Sequence, residues 1–278
     1  MEVDSNIIYG IIIVVVIILI GCIWYNYSIT SVEYMDPIST EGFPFRTYII
    51  NLDRKPERLK YVTDQLDNLG IKDYRRWIAT DGFYSDLKPL INVDITAELA
   101  KNKGLAGCAA SHVSIWRYIA SNKLGWTLIL EDDAHFHPQF MSLFPEYWKR
   151  VPKDAKIVFP GFCGEERRLD KNTLVALHAV MCFHGYMISH EGAQYLLDNI
   201  VPISSPIDVD MYTLFDRNGY KGSYIFNPNA VVNGIRPIDY KEANGARCLF
   251  NGIIYQNQQD QGTTLQTVDT LYLYPRDN

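Results

Sequence analysis

At 278 residues, with 47% hydrophobic and 21% charged positions, the chain can hold one large folded domain and is too apolar to be disordered. Its formal charge of -6 excludes a general nucleic-acid binder, although local arginines or a metal can still hold an anion. The five cysteines, Cys22, Cys108, Cys163, Cys182 and Cys248, include no Cys-x-x-Cys pair. A zinc ribbon and a thioredoxin-type motif are thereby unsupported, and mostly free thiols are expected.

After a short tail over residues 1–6, the stretch 7–25 is almost continuously apolar, and no charge falls between Asp4 and Glu33. About 20 such residues cross a bilayer as a helix. Trp24, Tyr25 and Tyr27 add aromatics suited to the lipid–water interface. The acidic start (Glu2, Asp4) and the long apolar core argue against a cleaved signal peptide. A transmembrane helix over 7–27 is therefore expected, making the bilayer a partner and the chain a single-pass protein. No lysine or arginine precedes Arg46, so flanking charge does not set the orientation. A type II signal-anchor is the expected arrangement. Residues 28–45 read as a stalk broken by Pro37, Gly42 and Pro44, and residues 46–278 as the soluble domain.

Within that domain, residues 47–52 form a β-branched, apolar run predicted to be a buried strand. Pro56 then opens a helix whose Leu59, Val62, Leu66 and Leu69 recur at helical spacing until Gly70. Strands are predicted at 74–79, 126–130, 157–159, 182–189 and 223–226. Helical character is read from Ser111 to Ala120, after small residues from Gly104, and at 139–148, 191–199 and 209–217. Such alternation predicts an α/β fold with a largely parallel central sheet. The Gln/Asn-rich stretch 255–261 reads as loosely ordered.

The strongest chemical signal is Glu131-Asp132-Asp133, placed where an apolar strand ends. Three adjacent carboxylates repel one another and lose hydration there unless something neutralises them. A hard divalent cation does so with oxygen ligands, and ligands of open α/β sheets gather at strand carboxyl ends. Strand alternation would turn Glu131 and Asp133 together as metal ligands and Asp132 away. The competing reading is an acidic turn.

Asp208 and Asp210 follow Pro206 at a helix start; either caps that helix or takes a proton from a hydroxyl. Asn51, Asp53, Arg54 and Arg58 follow the first strand and would share an edge with the triplet if the two strands are parallel. Arginine's planar fork suits a diphosphate, and Asp81 could accept from a ribose or base. Equally, these residues fit a charged surface helix and a simple Asp-Gly turn. Ser111-His112 lacks the surroundings of a hydrolase triad, so His112 reads as a hydrogen-bonded structural residue near the site. His135, His137, His184 and His190 are weaker metal candidates, with solvated histidine the expectation for each.

Taken in order, these stretches resemble glycosyltransferase family 25. The carrying residues are Tyr48-Ile49-Ile50-Asn51-Leu52-Asp53-Arg54 with Arg58, then Ala79-Thr80-Asp81-Gly82. Next come Gly104-Leu105-Ala106-Gly107-Cys108-Ala109-Ala110-Ser111-His112 with Trp116, and Glu131-Asp132-Asp133-Ala134. Gly185-Tyr186-Met187-Ile188-Ser189 with Gly192-Ala193, and Pro206-Ile207-Asp208, complete the set. The resemblance implies a GT-A type fold, a UDP-sugar donor, a divalent metal (manganese, with magnesium as the other candidate) and inversion at the anomeric carbon. It implies Glu131 and Asp133 as metal ligands, and Asn51, Asp53, Arg54, Arg58, Asp81, Ser111, His112 and Asp132 around the donor. Asp208 or Asp210 would be the base, and a glycan or a hydroxylysine-like protein side chain the acceptor. No nucleic acid is expected. A metal-dependent phosphohydrolase and a catalytically silent binding protein remain the rival readings.

Overall fold

A computed structural model describes residues 43–163, 169–178, 180–237 and 250–256. The expected membrane segment and most of the stalk lie outside the described residues. Among those described, no helix is long and apolar enough to cross a membrane.

β1 (Arg46–Asn51) is buried along almost its whole length, as its apolar run requires. Helix α1 (Pro56–Asn68) starts on Pro56, whose missing N–H costs nothing in a first turn, and carries Glu57 where the helix dipole favours an acid. β2 (Tyr74–Ile78) follows, then α2 (Lys103–Ser121) and β3 (Thr127–Glu131). Two short ribbons involve β4 (Ala134–Phe136) and β6 (Gly161–Cys163), which pair with β11 (Ile254–Gln256) and β10 (Phe250–Gly252) respectively. The remaining elements are α3 (Phe140–Trp148), β5 (Ile157–Phe159), β7 (Val175–Leu177), β8 (Gly185–Ile188), α4 (His190–Ile200), α5 (Ile207–Arg217) and β9 (Ser223–Phe226).

The main sheet has the order β2-β1-β3-β8-β5-β9-β7. β2, β1 and β3 run parallel, as do β5 and β9, whereas β8 is antiparallel to both its neighbours and β7 to β9. The sheet is therefore mixed: the expected parallel arrangement holds for β2, β1 and β3, whereas β8, the other neighbour of the triplet-bearing β3, runs antiparallel. The chain steps outward from β1 to β2 and then returns past β1 to β3. Strand order reverses at that point, where loops diverge and leave a crevice beyond the carboxyl ends.

Period-two alternation decides which helix covers which face. Ile49, Leu128 and Leu130 join Val62 and Leu66 of α1 in one buried cluster. Tyr48 turns the other way, its ring 5.7 Å from Trp77 and 5.9 Å from Tyr118 of α2. Thus α1 and α2 cover opposite faces of the same strands.

Helix α2 begins eight residues before Ser111, because the Asn102 side chain accepts from Leu105 N at 3.2 Å and caps it. Its small residues serve a close approach. A Cβ on Gly82 would lie 1.7 Å from Lys103 O, and one on Gly107 2.6 Å from Gly82 N. The β2–α2 loop therefore lies directly against the first turns of α2. The cysteines also depart from expectation: Cys108 is free, but Cys182 is disulfide-bonded.

Candidate functional site

The carboxyl ends of β2, β1 and β3 open into a cleft of about 400 Å³. Of the residues singled out by sequence, Asn51, Arg54, Arg58, Asp81, Ser111, His112, Glu131, Asp132 and Asp133 all line it. Parallel register explains the convergence: Ile50 is level with Glu131, and Asn51 with Ile78.

Asn51 uses its whole amide. Its Nδ2 donates to Asp132 Oδ2 at 2.7 Å and to Lys55 O at 2.8 Å, and its Oδ1 accepts from Arg76 Nε at 2.9 Å. Arg58 reaches up from α1, placing Nη2 2.7 Å from Asp132 Oδ1 and 3.4 Å from Asp133 Oδ2. Asp133 Oδ2 also accepts from Gln256 Nε2 at 2.8 Å. At the mouth, Asp81 accepts from Arg54 Nε at 2.6 Å and from Phe83 N at 3.0 Å.

β3 stops at Glu131, so strand alternation does not continue into Asp132 and Asp133. Both aspartates meet Arg58, and Glu131 turns instead toward α2. There its Oε1 lies 3.2 Å from His112 Nε2 and 3.9 Å from Cys108 Sγ. Donor atoms of Cys108, His112 and Glu131 all fall within 4.8 Å of one another.

These surroundings separate the three acids. Burial, reinforced by the charge of Glu131, pushes Asp133 up to about 7. Burial also raises Asp132, against the opposing pull of Arg58. For Glu131, burial works upward, but the His112 hydrogen bond, helped by the Arg58 charge, outweighs it and holds the carboxyl below its ordinary range. Desolvation and the neighbouring carboxylates push the Cys108 thiol well up. Asp133 Oδ1 is buried without a hydrogen-bond partner. An acceptor left so costs about 1–3 kcal/mol, and a hard divalent cation is what such an oxygen suits. On this count Asp133 suits a hard cation, whereas the donor atoms that converge within 4.8 Å are those of Cys108, His112 and Glu131.

Other candidates play different parts. Asp53 does not line the cleft; it is largely exposed and pairs with Arg76 at 2.5 Å. Ser111 is a brace, accepting from Thr80 N at 2.8 Å and donating to Gly107 O at 2.7 Å. Asp208 accepts from Cys182 N and Val209 N, both at 3.0 Å, and burial raises its pKa. Asp210 ties down the turn before α5, accepting from Ser204 N at 2.6 Å and from Ser205. Neither aspartate lines the cleft.

The four other histidines considered as metal candidates are not simply solvated. His135 meets Tyr61 OH at 2.5 Å, His184 is fully buried and meets Ile254 O at 3.0 Å, and His190 meets Leu124 O at 3.0 Å. His137 accepts from Gln139 N at 3.0 Å, and burial lowers it to about 4.

Two contributors were missed. Cys108 belongs to the stretch that carries the resemblance, but its sequence context assigns it no role at the site. Gln256 lay within the stretch read as loosely ordered, yet Tyr255 is buried and Gln256 ends β11. The apolar run Ile253-Ile254-Tyr255 was the signal for that strand.

Comparison with known proteins places this arrangement among relatives. The model of the family described as "Glycosyltransferase family 25 (LPS biosynthesis protein)" matches residues 45–213. A glycosyltransferase 25 family member of Drosophila melanogaster is 28% identical over 195 residues, covering 63% of this chain and 31% of that protein. A viral glycosyltransferase from Acanthamoeba polyphaga mimivirus is 27% identical over 166 residues, covering 54% of this chain and 51% of its own. Procollagen galactosyltransferase 2 of Mus musculus is 29% identical over 119 residues, 40% of this chain and 19% of that protein. The matched region thus spans at most about half the length of each of these relatives.

Proposed function

The chain belongs to glycosyltransferase family 25, and from that premise we propose that it transfers a hexose, galactose or glucose, from a UDP-sugar to an acceptor hydroxyl on a glycan or protein. One observation carries this reading beyond membership. The strand-end carboxylates and Arg54 and Arg58 share one cleft, in which Asp133 keeps a buried carboxylate oxygen unpartnered.

In this reading Glu131 and Asp133 would hold a divalent metal, manganese or magnesium, which supplies Lewis-acid neutralisation of the departing diphosphate. Arg54 and Arg58 offer planar guanidinium donors to phosphate oxygens. Asp132 is already committed to Asn51 and Arg58, so its part is to hold that arginine in place. Asp81 is an acceptor for ribose hydroxyls at the mouth. Transfer is a single inverting displacement: the acceptor oxygen bonds to the anomeric carbon, the bond to the diphosphate breaks, and the hydroxyl proton passes to a carboxylate. We keep Asp208 ahead of Asp210 as that base on its burial-raised proton affinity alone, since both carboxylates accept hydrogen bonds and neither lines the cleft. The apolar segment 7–27 would tether the enzyme to a bilayer.

Thermal stability measured with UDP, ADP and GDP, each with and without manganese, tests the donor and the metal together. Ligands that bind the folded state raise its apparent stability by mass action. A manganese-dependent shift with UDP alone supports the reading. No shift with any nucleotide would leave a catalytically silent relative. Sugar phosphate or phosphate released to water at the same rate with or without acceptor would point to a phosphohydrolase.

A further inference from the structure

From the core to Glu131, by way of the cleft-lining His112, runs a set of buried polar groups that the reaction above does not use. Trp116 Nε1 is 2.9 Å from Tyr186 Oη, Tyr186 Oη is 2.8 Å from His112 Nδ1, and His112 Nε2 is 3.2 Å from Glu131 Oε1. Trp116 and Tyr186 are fully buried and His112 is 1% exposed, so water does not share these contacts.

Counting protons gives the run a direction. Indole nitrogen only donates, so Trp116 donates to the Tyr186 oxygen. The Tyr186 hydroxyl has its own proton to place, and His112 Nδ1 is its sole acceptor among the described residues. A buried hydroxyl left without an acceptor costs about 1–3 kcal/mol. Tyr186 therefore donates to Nδ1, which must be bare. The ring's proton is then on Nε2, where Glu131 Oε1 accepts it. Every proton in the run has an acceptor in this arrangement and in no other.

We propose that Trp116, Tyr186 and His112 form a one-way hydrogen-bond chain ending on Glu131 Oε1, which makes Tyr186 and His112 positioning residues for the cleft-facing carboxylate. The imidazole N–H and the Cys108 thiol both address Oε1. Oε2 accepts from no group among the described residues and is the oxygen open to a ligand. The chain's polarity rests on geometry alone; the role of Glu131 toward a ligand rests on the transferase reading above.

The decisive experiment labels the histidines of the full chain with nitrogen-15 and reads His112 by long-range proton–nitrogen correlation, its signals identified by their loss in His112→Gln. A proton on Nε2 with Nδ1 bare is the expected result. A proton on Nδ1 overturns the chain. With Nε2 then bare, the Cys108–His112–Glu131 group would be a nitrogen–sulfur–oxygen ligand set instead. Two protonated nitrogens overturn it as well, because Tyr186 could no longer donate.

A second arm measures the affinity for manganese with UDP by calorimetry. Gln at position 112 keeps an N–H within reach of Glu131, and Leu does not. His112→Leu should weaken binding about tenfold or more, the worth of one hydrogen bond to a charged group, and His112→Gln by much less. Equal losses in both variants would mean that His112 only fills space. If the wild type binds no manganese–UDP, the transferase reading fails while the nitrogen spectrum still decides the chain.

Discussion

Asn51 and Asp132, at the ends of adjacent parallel strands, are joined by a 2.7 Å hydrogen bond from the Asn51 amide to the Asp132 carboxylate. Asn51 has no spare hydrogen-bonding atom, since Arg76 and Lys55 O take the remainder. It is a clamp between two strand ends and the start of α1, and several consequences for the cleft follow from it.

Asn51→Asp replaces two donors with acceptors opposite Asp132 and a carbonyl. Losing a hydrogen bond to a charged group and gaining repulsion should cost at least about 3 kcal/mol. Urea unfolding at neutral pH measures it, and a loss under 1 kcal/mol would remove Asn51 from any structural role.

Arg58 balances two buried carboxylates, with its own side chain only 12% exposed. Arg58→Met should destabilise the protein by about 3–5 kcal/mol at pH 8, the usual result of removing one partner of a buried pair. At pH 5 the loss should shrink, because protonating the aspartates removes the uncompensated charge. Denaturation midpoints at both pH values test this, and a pH-independent loss would mean that the arginine acts through packing.

Asp133→Asn should abolish transfer and leave the fold intact. Its pH signature can be read without substrate, in a chelating buffer. The folded pKa of about 7 lies above the ordinary 3.8, so between those values the folded chain holds a proton that the unfolded chain has released. Wild-type stability must therefore fall as pH rises through that window, while the asparagine variant lacks this contribution. The melting temperature of the wild type, relative to the variant, should drop between pH 5 and pH 8. A constant difference would refute the raised pKa, and retained transfer would refute the metal site.

Gly107→Ala should cost about 1–3 kcal/mol, since its new methyl would meet backbone atoms of Thr80 and Gly82 that have little room to yield. Gly125→Ala is the control, with nothing within 4 Å of the added carbon. Calorimetric melting of the two variants compares them directly.

Much of this was readable in advance where a physical pattern is local. Ile157–Phe159 and Ser223–Phe226 are compact apolar or β-branched runs, and the observed strands have the predicted ends. The acidic triplet stood out because three carboxylates after an apolar strand demand a partner. What could not be read was which partner each acid takes. The chain turns after Glu131, and that turn sends Glu131 to His112 while both aspartates meet Arg58. Nor did composition reveal β4 or β11, three-residue strands that exist because they pair with each other over a long separation. Asp53 misled for the reverse reason: proximity in sequence to Asn51 says nothing of which way the side chain leaves the strand end.

The Gln256–Asp133 bond joins positions 123 residues apart, and β11 reaches β4 only through the last described segment of the chain. A chain leaving the ribosome makes β1, β2 and β3 long before that contact is possible, and contacts of such separation form late. Until residue 256 arrives, Asp133 lacks one of its donors and β4 lacks its pairing strand. The cleft thus depends on the far end of the described chain, so that a chain truncated before β11 would present every acidic and basic residue of the site and still leave it unfinished.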